Sequence, residues 1–227
     1  KQKTAYEIMP SLVGSEMCIR DRIMIVALPK AKTKGVMSLE EAIYVRRSRR
    51  SWKKDVKIPL RHVAQILWAA QGITNWEEGF RAAPSAGATY PLEVYVVVRK
   101  DGVKGLDKGV YRYDPYKHCL VKTLDTDVTY ELMEASLGQY WVGTAPINLV
   151  IVAEYARTTR FYGDRGYRYV HMEVGHVGQN VYLQAEALGL GTVAIGAFYD
   201  NEVRRILGLS RNLAPLYIMP VGYPEKR

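Results

Sequence analysis

A chain of 227 residues has the length of one ordinary domain, and its 48% hydrophobic and 24% charged content excludes a disordered protein. It has no run of about 18 apolar residues, which excludes a membrane-spanning helix, and its two cysteines, Cys18 and Cys119, provide neither a disulfide framework nor a metal-binding spacing. The net charge of +9 admits nucleic acid, an anionic membrane surface or phosphate-bearing small molecules. Only one basic cluster is dense, so a small phosphate-bearing molecule is the expected partner and neither nucleic acid nor membrane is. So few cysteines fit the reducing cytoplasm.

Residues 1–22 lack any consistent period or secretory pattern, and Ser11–Arg22 resembles a translated sequencing-adapter read. They are expected to be a non-native or disordered tail, with the domain at 23–227. Ser38 and Glu41 form a capping-box pattern that opens a helix through Ala42, Ile43 and Val45, closed by the basic run from Arg46. A second helix follows Pro59, with Val63, Ile66, Leu67 and Ala70 at helical spacing and Gly72 at its exit. Thr74–Pro91 reads as a long polar loop, and loops of that length are often functional. Glu93–Arg99 is a strand. Gly109–Asp114 and Cys119–Leu124 alternate as a hairpin. Val128–Gln139 is a helix and Ile147–Glu154 a buried strand. Tyr167–Leu188 is the longest helix, apolar on several faces and so central, with Gly189–Gly191 as its stop. Thr192–Ala197 is a strand, Asp200–Leu207 a short helix capped by Asp200, and Leu216–Val221 a final strand. Strands and helices mix without regular alternation, so an α+β layered domain is expected.

Three segments could carry chemistry. The run Arg46-Arg47-Ser48-Arg49-Arg50 ends a helix, and arginine forks plus a hydroxyl can converge on a phosphate; on its own it reads more readily as a solvated basic face. The stretch Pro84–Pro91 is small enough for backbone to approach a flat ring, or it is a plain surface loop. Gly189–Ala197 contains glycines between a helix and a strand, the reverse of the dinucleotide fingerprint, so a Rossmann site is rejected. Gly196 and Ala197 instead suggest close backbone approach to a ligand. His171 and His176 are five apart, do not share a helix face, and imply no metal.

In order and spacing these segments resemble the nitroreductase family. Its opening pattern, Arg-(Arg or His)-Ser-x-(Arg or Lys), is matched by Arg46, Arg47, Ser48 and Arg50, which the resemblance assigns to the FMN phosphate and the flavin edge. Its Pro-Ser loop is matched by Pro84, Ser85, Ala86 and Ala88, which would reach the partner subunit's FMN. Its helix-to-strand segment is matched by Leu188–Ala197, where Ile195, Gly196 and Ala197 would lie against the flavin. Pro220–Pro224 is similar to its final strand. The blocks Gly109–Pro115 with His118, Tyr162–Tyr169, and Glu173-x-Gly175-His176-x-x-Gln179-Asn180 are similar to a subgroup, the azoline-oxidising dehydrogenases.

The resemblance implies a mostly antiparallel sheet flanked by helices, a long central helix, and a homodimer with FMN at the subunit interface. It implies hydride transfer from NAD(P)H through FMN to a small acceptor such as a nitroaromatic or quinone. Two positions depart from the pattern. Phe161-Tyr162 stands where azoline dehydrogenases carry Lys-Tyr, which counts against azoline oxidation and leaves Tyr162 as the one side chain nominated for proton chemistry. Beyond the final strand only Lys226 or Arg227 could act as a basic phosphate ligand. A flavin-binding protein without turnover is the non-catalytic alternative.

Overall fold

The computed structural model describes residues 24–226. The expected tail at 1–22, with Cys18, and the phosphate candidate Arg227 lie outside them. In chain order the elements are β1 (Ile25–Ala27), α1 (Leu39–Val45), β2 (Ile58–Pro59), α2 (Leu60–Gln71), β3 (Ile73–Asn75), β4 (Phe80–Arg81), a 3-10 turn (Ala86–Ala88) and β5 (Leu92–Val98). Then come β6 (Val103–Lys104), β7 (Gly109–Asp114), β8 (Cys119–Leu124), α3 (Thr129–Ala135), α4 (Tyr140–Thr144) and β9 (Ile147–Ala153). The chain closes with α5 (Ala156–Tyr162), α6 (Arg165–Ala187), β10 (Gly191–Thr192), α7 (Asp200–Ile206) and β11 (Ala214–Gly222).

Seven strands form one sheet in the order β1-β8-β7-β5-β9-β11-β10. Every pairing in it is antiparallel. An antiparallel sheet commonly shows one face to water and alternates in sequence. Here β5 and β9 are nearly continuous apolar runs because helices cover both faces. Val94, Val96, Leu149 and Ile151 point into a core shared with α2 and α6, while Tyr95, Val97, Val150 and Val152 point into a second core under α3, α4 and α7. The result is an α+β three-layer sandwich.

The sequence expectations hold for the long elements and shift at short ones. Ser38 caps α1 as expected, its Oγ accepting from the Glu41 N–H at 3.1 Å. Helix α6 runs from Arg165 to Ala187 and stops where Gly189 takes a φ of 74°. The Thr74–Pro91 stretch is not structureless: β3 and β4 pair within it. The helix expected over Val128–Gln139 ends at Ala135, because Leu137 and Gly138 turn left-handed before α4 begins. Thr192–Ala197 is not one strand. The chain leaves the sheet after Thr192 and touches it again only where Ile195 pairs with Ile218. Asp200 sits in the first turn of α7 and Tyr199 occupies the cap. Helix α5 was not anticipated; its N-terminus has no capping side chain to announce it.

Leu149 lies at the centre of β9 with no exposed surface. Replacing it with alanine should cost about 2–5 kcal/mol of unfolding free energy in urea titrations, through lost burial and the cavity left behind. A cost below about 1 kcal/mol would contradict its place in the core.

Candidate functional site

The apolar stripe of α6, formed by Val170, Val174, Val177, Val181 and Ala185, is buried in the first core. That fixes the directions in which its polar residues leave the helix. One turn apart near its C-terminal end are Tyr182 and Glu186. The Tyr182 hydroxyl accepts the Ala194 N–H at 2.8 Å and lies 3.0 Å from Ser48 Oγ, to which it can donate its own proton. Glu186 accepts the Arg47 N–H at 3.3 Å and pairs with the Arg49 guanidinium at 3.7 Å. The Arg49 N–H donates to Thr192 O at 2.9 Å, so the arginine run lies beside β10 like an added edge. Two segments far apart in sequence, Arg47–Arg49 and Thr192–Ala194, are thereby fastened to one helix.

This arrangement sorts the arginines. Arg47 turns its guanidinium back onto Arg46 O (2.7 Å) and Tyr44 O (3.0 Å), closing the C-terminal end of α1. Arg49 is spent on Glu186 and on Lys226 O. Arg46 lies over the Tyr182 ring at 5.1 Å and Arg50 over the Trp141 ring at 5.7 Å. Among the described residues neither forms an ion pair, so both keep their charge available for an anion.

The backbone beside them is open. Ile195 itself offers nothing: its N–H and C=O both pair with Ile218, at 2.9 and 3.0 Å, and its side chain is buried. It anchors the next two residues, which are exposed. Gly196 meets no atom nearer than 4.0 Å from where a Cβ would stand. Two uncommitted arginines, a held serine and an exposed, open glycine backbone fit a phosphate-bearing planar group such as FMN.

The Pro84–Ala88 loop belongs to a different part of the same helix. Gly87 takes a φ of 58°, and a Cβ there would stand 2.5 Å from the Tyr162 hydroxyl, so Tyr162 closes directly over this loop. Below the loop lies Glu173, 2% exposed, with Ser85, Arg81 and Gln71 facing its carboxyl. Glu173 and Tyr182 are nine residues apart on α6, roughly 13 Å along its axis at 1.5 Å per residue. The structure therefore ties Arg46–Arg50 to Thr192 and Ala194, just ahead of Gly196 and Ala197, and brings Pro84–Ala88 together with Tyr162. The two groups are gripped by different stretches of α6.

Sequence reasoning missed Tyr182, Glu186 and Arg81, and named Glu173 only within a subgroup block, with no role assigned to it. Tyr182 was one of 17 tyrosines with nothing to single it out. Glu173 did carry a signal: it lies next to Val174 of the buried stripe, and a carboxylate there needs a reason.

Burial raises the Glu173 carboxyl to about 7, against the pull of Ser85, Arg81 and Gln71, from an ordinary value of 4.5. The native state thus holds a proton that the unfolded chain releases. The stability this contributes is complete below about pH 4.5 and is lost as pH rises through about 7. Glu173→Gln should remove that slope and be more stable than the wild type at pH 8 by about 2–3 kcal/mol in urea unfolding. Equal slopes in the two proteins would contradict this assignment.

The nitroreductase family model matches residues 43–223. A protein of Methanocaldococcus jannaschii named as a nitroreductase is 55% identical over 186 residues, covering 82% of this chain and 91% of that protein. The NADPH-flavin oxidoreductase of Vibrio harveyi is 30% identical over 115 residues, 47% of this chain and 48% of that protein. A chain of the Escherichia coli microcin synthetase McbBCD complex superposes with a TM-score of 0.67 at 25% identity, covering 86% of this chain and 77% of that one. The chain belongs to the nitroreductase family of flavin-linked oxidoreductases.

Proposed function

We propose that this protein is an FMN-dependent oxidoreductase that works as a homodimer, moving hydride from NAD(P)H to a small organic acceptor such as a nitroaromatic or a quinone. The observation that carries the reading is the Tyr182 clip. One hydroxyl fastens Ser48 and Ala194 at once, and so ties the arginine run to the segment that leads into Gly196 and Ala197. When bound, FMN supplies the hydride chemistry; the protein supplies position and charge. Arg46 and Arg50 would hold the phosphate and flavin edge with Ser48, and Lys226 or Arg227 is the further basic candidate. The Gly196 and Ala197 N–H groups, which make no hydrogen bond among the described residues, would donate to the ring edge.

The split along α6 is compatible with such a dimer. Pro84, Ser85, Ala86 and Ala88 belong to the stretch of α6 near Glu173, so in this reading they serve the flavin held by the partner's arginine run. Helix α1 supports it: Leu39, Ile43 and Tyr44 are 61%, 54% and 80% exposed, an uncovered apolar face that a second copy would bury. Exposed aromatic rings by the loop, Phe161 and Tyr162, form a surface on which a planar acceptor could stack. Cytoplasmic residence is part of the proposal; the described cysteine, Cys119, is a buried free thiol.

The alternative is an azoline-type dehydrogenase, favoured by the likeness to the microcin synthetase chain. Phe161 counts against it, because a phenyl ring moves no proton. Its Cα neighbour Arg160 folds over that ring at 4.8 Å.

Steady-state NAD(P)H oxidation should be driven by menadione or a nitroaromatic, and should not be accompanied by oxidation of a thiazoline peptide. FMN bound without any turnover would overturn the enzymatic reading. Arg46→Ala should weaken FMN binding by about 1.5–3 kcal/mol, the scale of a charged hydrogen bond. An unchanged dissociation constant would remove Arg46 from the site.

A further inference from the structure

The Pro84–Tyr90 loop is held in an unfavourable backbone shape. Gly87, Ala88 and Tyr90 have φ of 58°, 52° and 44°, and the last two carry side chains that this region disfavours. Such a shape persists only where the surroundings over-determine it. The surroundings here are a polar network. Ser85 Oγ accepts the Tyr90 N–H at 2.9 Å, and the Tyr90 hydroxyl accepts the Arg81 N–H at 3.1 Å. The Arg81 guanidinium covers the Tyr90 ring at 4.6 Å and donates to Gln71 Oε1 at 3.0 Å. The buried Glu173 carboxyl faces Ser85, Arg81 and Gln71. Three buried atoms at this point, Gln71 Nε2, Arg81 Nε and Glu173 Oε1, make no hydrogen bond among the described residues. Two donors and one acceptor left over in a single cluster mark a place where a proton or a small shift changes the bonding.

We propose that Glu173 is a positioning residue whose carboxylate, once ionised, draws in the Ser85 hydroxyl and the unpaired Gln71 amide as donors and so holds the Pro84–Tyr90 loop in the shape it presents to a flavin. The purpose of the loop rests on the flavoprotein reading; the way it is held does not. Ser85 is already committed as an acceptor to the Tyr90 N–H, so its own proton is free to point at Glu173. Protonation of the carboxyl removes acceptor capacity from Ser85 and Gln71 together and slackens the loop. The groups facing the carboxyl are few. Arg81, on β4, is the charged one; Gln71, closing α2, and Ser85, in the loop, are neutral. Arg112, Asp114, Glu93 and Arg157 lie further out, around a cavity of about 230 Å³ that Gln71 and Arg81 also line. Because burial places the Glu173 transition near neutrality, the loop would be tight above pH 7 and loose below it.

The test is hydrogen exchange of the full chain at pH 6 and pH 8, corrected for the intrinsic pH dependence of exchange, with FMN titrations at the same two values. In the wild type, protection of the loop amides and FMN affinity should both be roughly tenfold greater at pH 8, the scale of one hydrogen bond to a charged group. Glu173→Gln should show the low-pH behaviour at both values. Ser85→Ala, which leaves Glu173 in place, should also abolish the pH step in protection, and it carries the test if the glutamine variant does not fold. Loop protection that is the same in the wild type and Glu173→Gln at both pH values would overturn the proposal. A loop that shows the pH step in a protein that binds no FMN would support the positioning role and overturn the flavin reading. FMN bound with full affinity by a flat, pH-indifferent loop would do the reverse.

Discussion

Helix α6 is packed against the sheet and beside α2 through a stripe of small apolar side chains, from Val170 to Ala185. Close packing along such a stripe leaves the helix little freedom to rotate or slide. The polar residues it carries are therefore aimed by the core. Tyr182 and Glu186 can hold the arginine run, and Glu173 can sit under the Pro-Ser loop, only because valines on the same helix are buried. A lost methylene in this layer would be felt at both groups of site residues.

The same geometry explains the division of labour among the basic residues. An arginine run of this density would repel itself in isolation. Glu186 neutralises Arg49, the α1 carbonyls absorb Arg47, and aromatic faces carry Arg46 and Arg50 without cancelling their charge. The bland reading of the run as a solvated basic face fails for Arg49, which is largely buried, and for the backbone of Ser48, which bridges to Thr192.

Much of the fold was legible because its largest elements announce themselves physically. The two central strands are apolar on both faces, α6 is long enough for its period to show, and Ser38 and Gly189 act through local backbone chemistry. What was not legible has local causes as well. Helices α4 and α5 have five and seven residues and no capping side chain, so tertiary contacts alone select them. Ile195 looked like a strand residue beside a ligand; it is in the second core, and its neighbours carry the exposure. The arginine run and the Gly196–Ala197 pair stand out in the sequence by their composition and order. Tyr182 does not, since its role comes from which segments the fold delivers to it, 134 residues away at Ser48 and 12 at Ala194.

The central claim is that one flavin site is built from the arginine run of one subunit and the Pro-Ser loop of the other. A mixed dimer tests it directly. One subunit would carry Arg46→Ala with Arg50→Ala, and its partner Gly87→Val, which drives a side chain into Tyr162. If the site is shared between subunits, both defects fall in one site and the other is wholly native. The mixed dimer should then bind one FMN with wild-type affinity, while each parent homodimer binds none as tightly. If each subunit builds its own site, every site in the mixed dimer carries a defect, and the absence of any tight flavin would contradict the account.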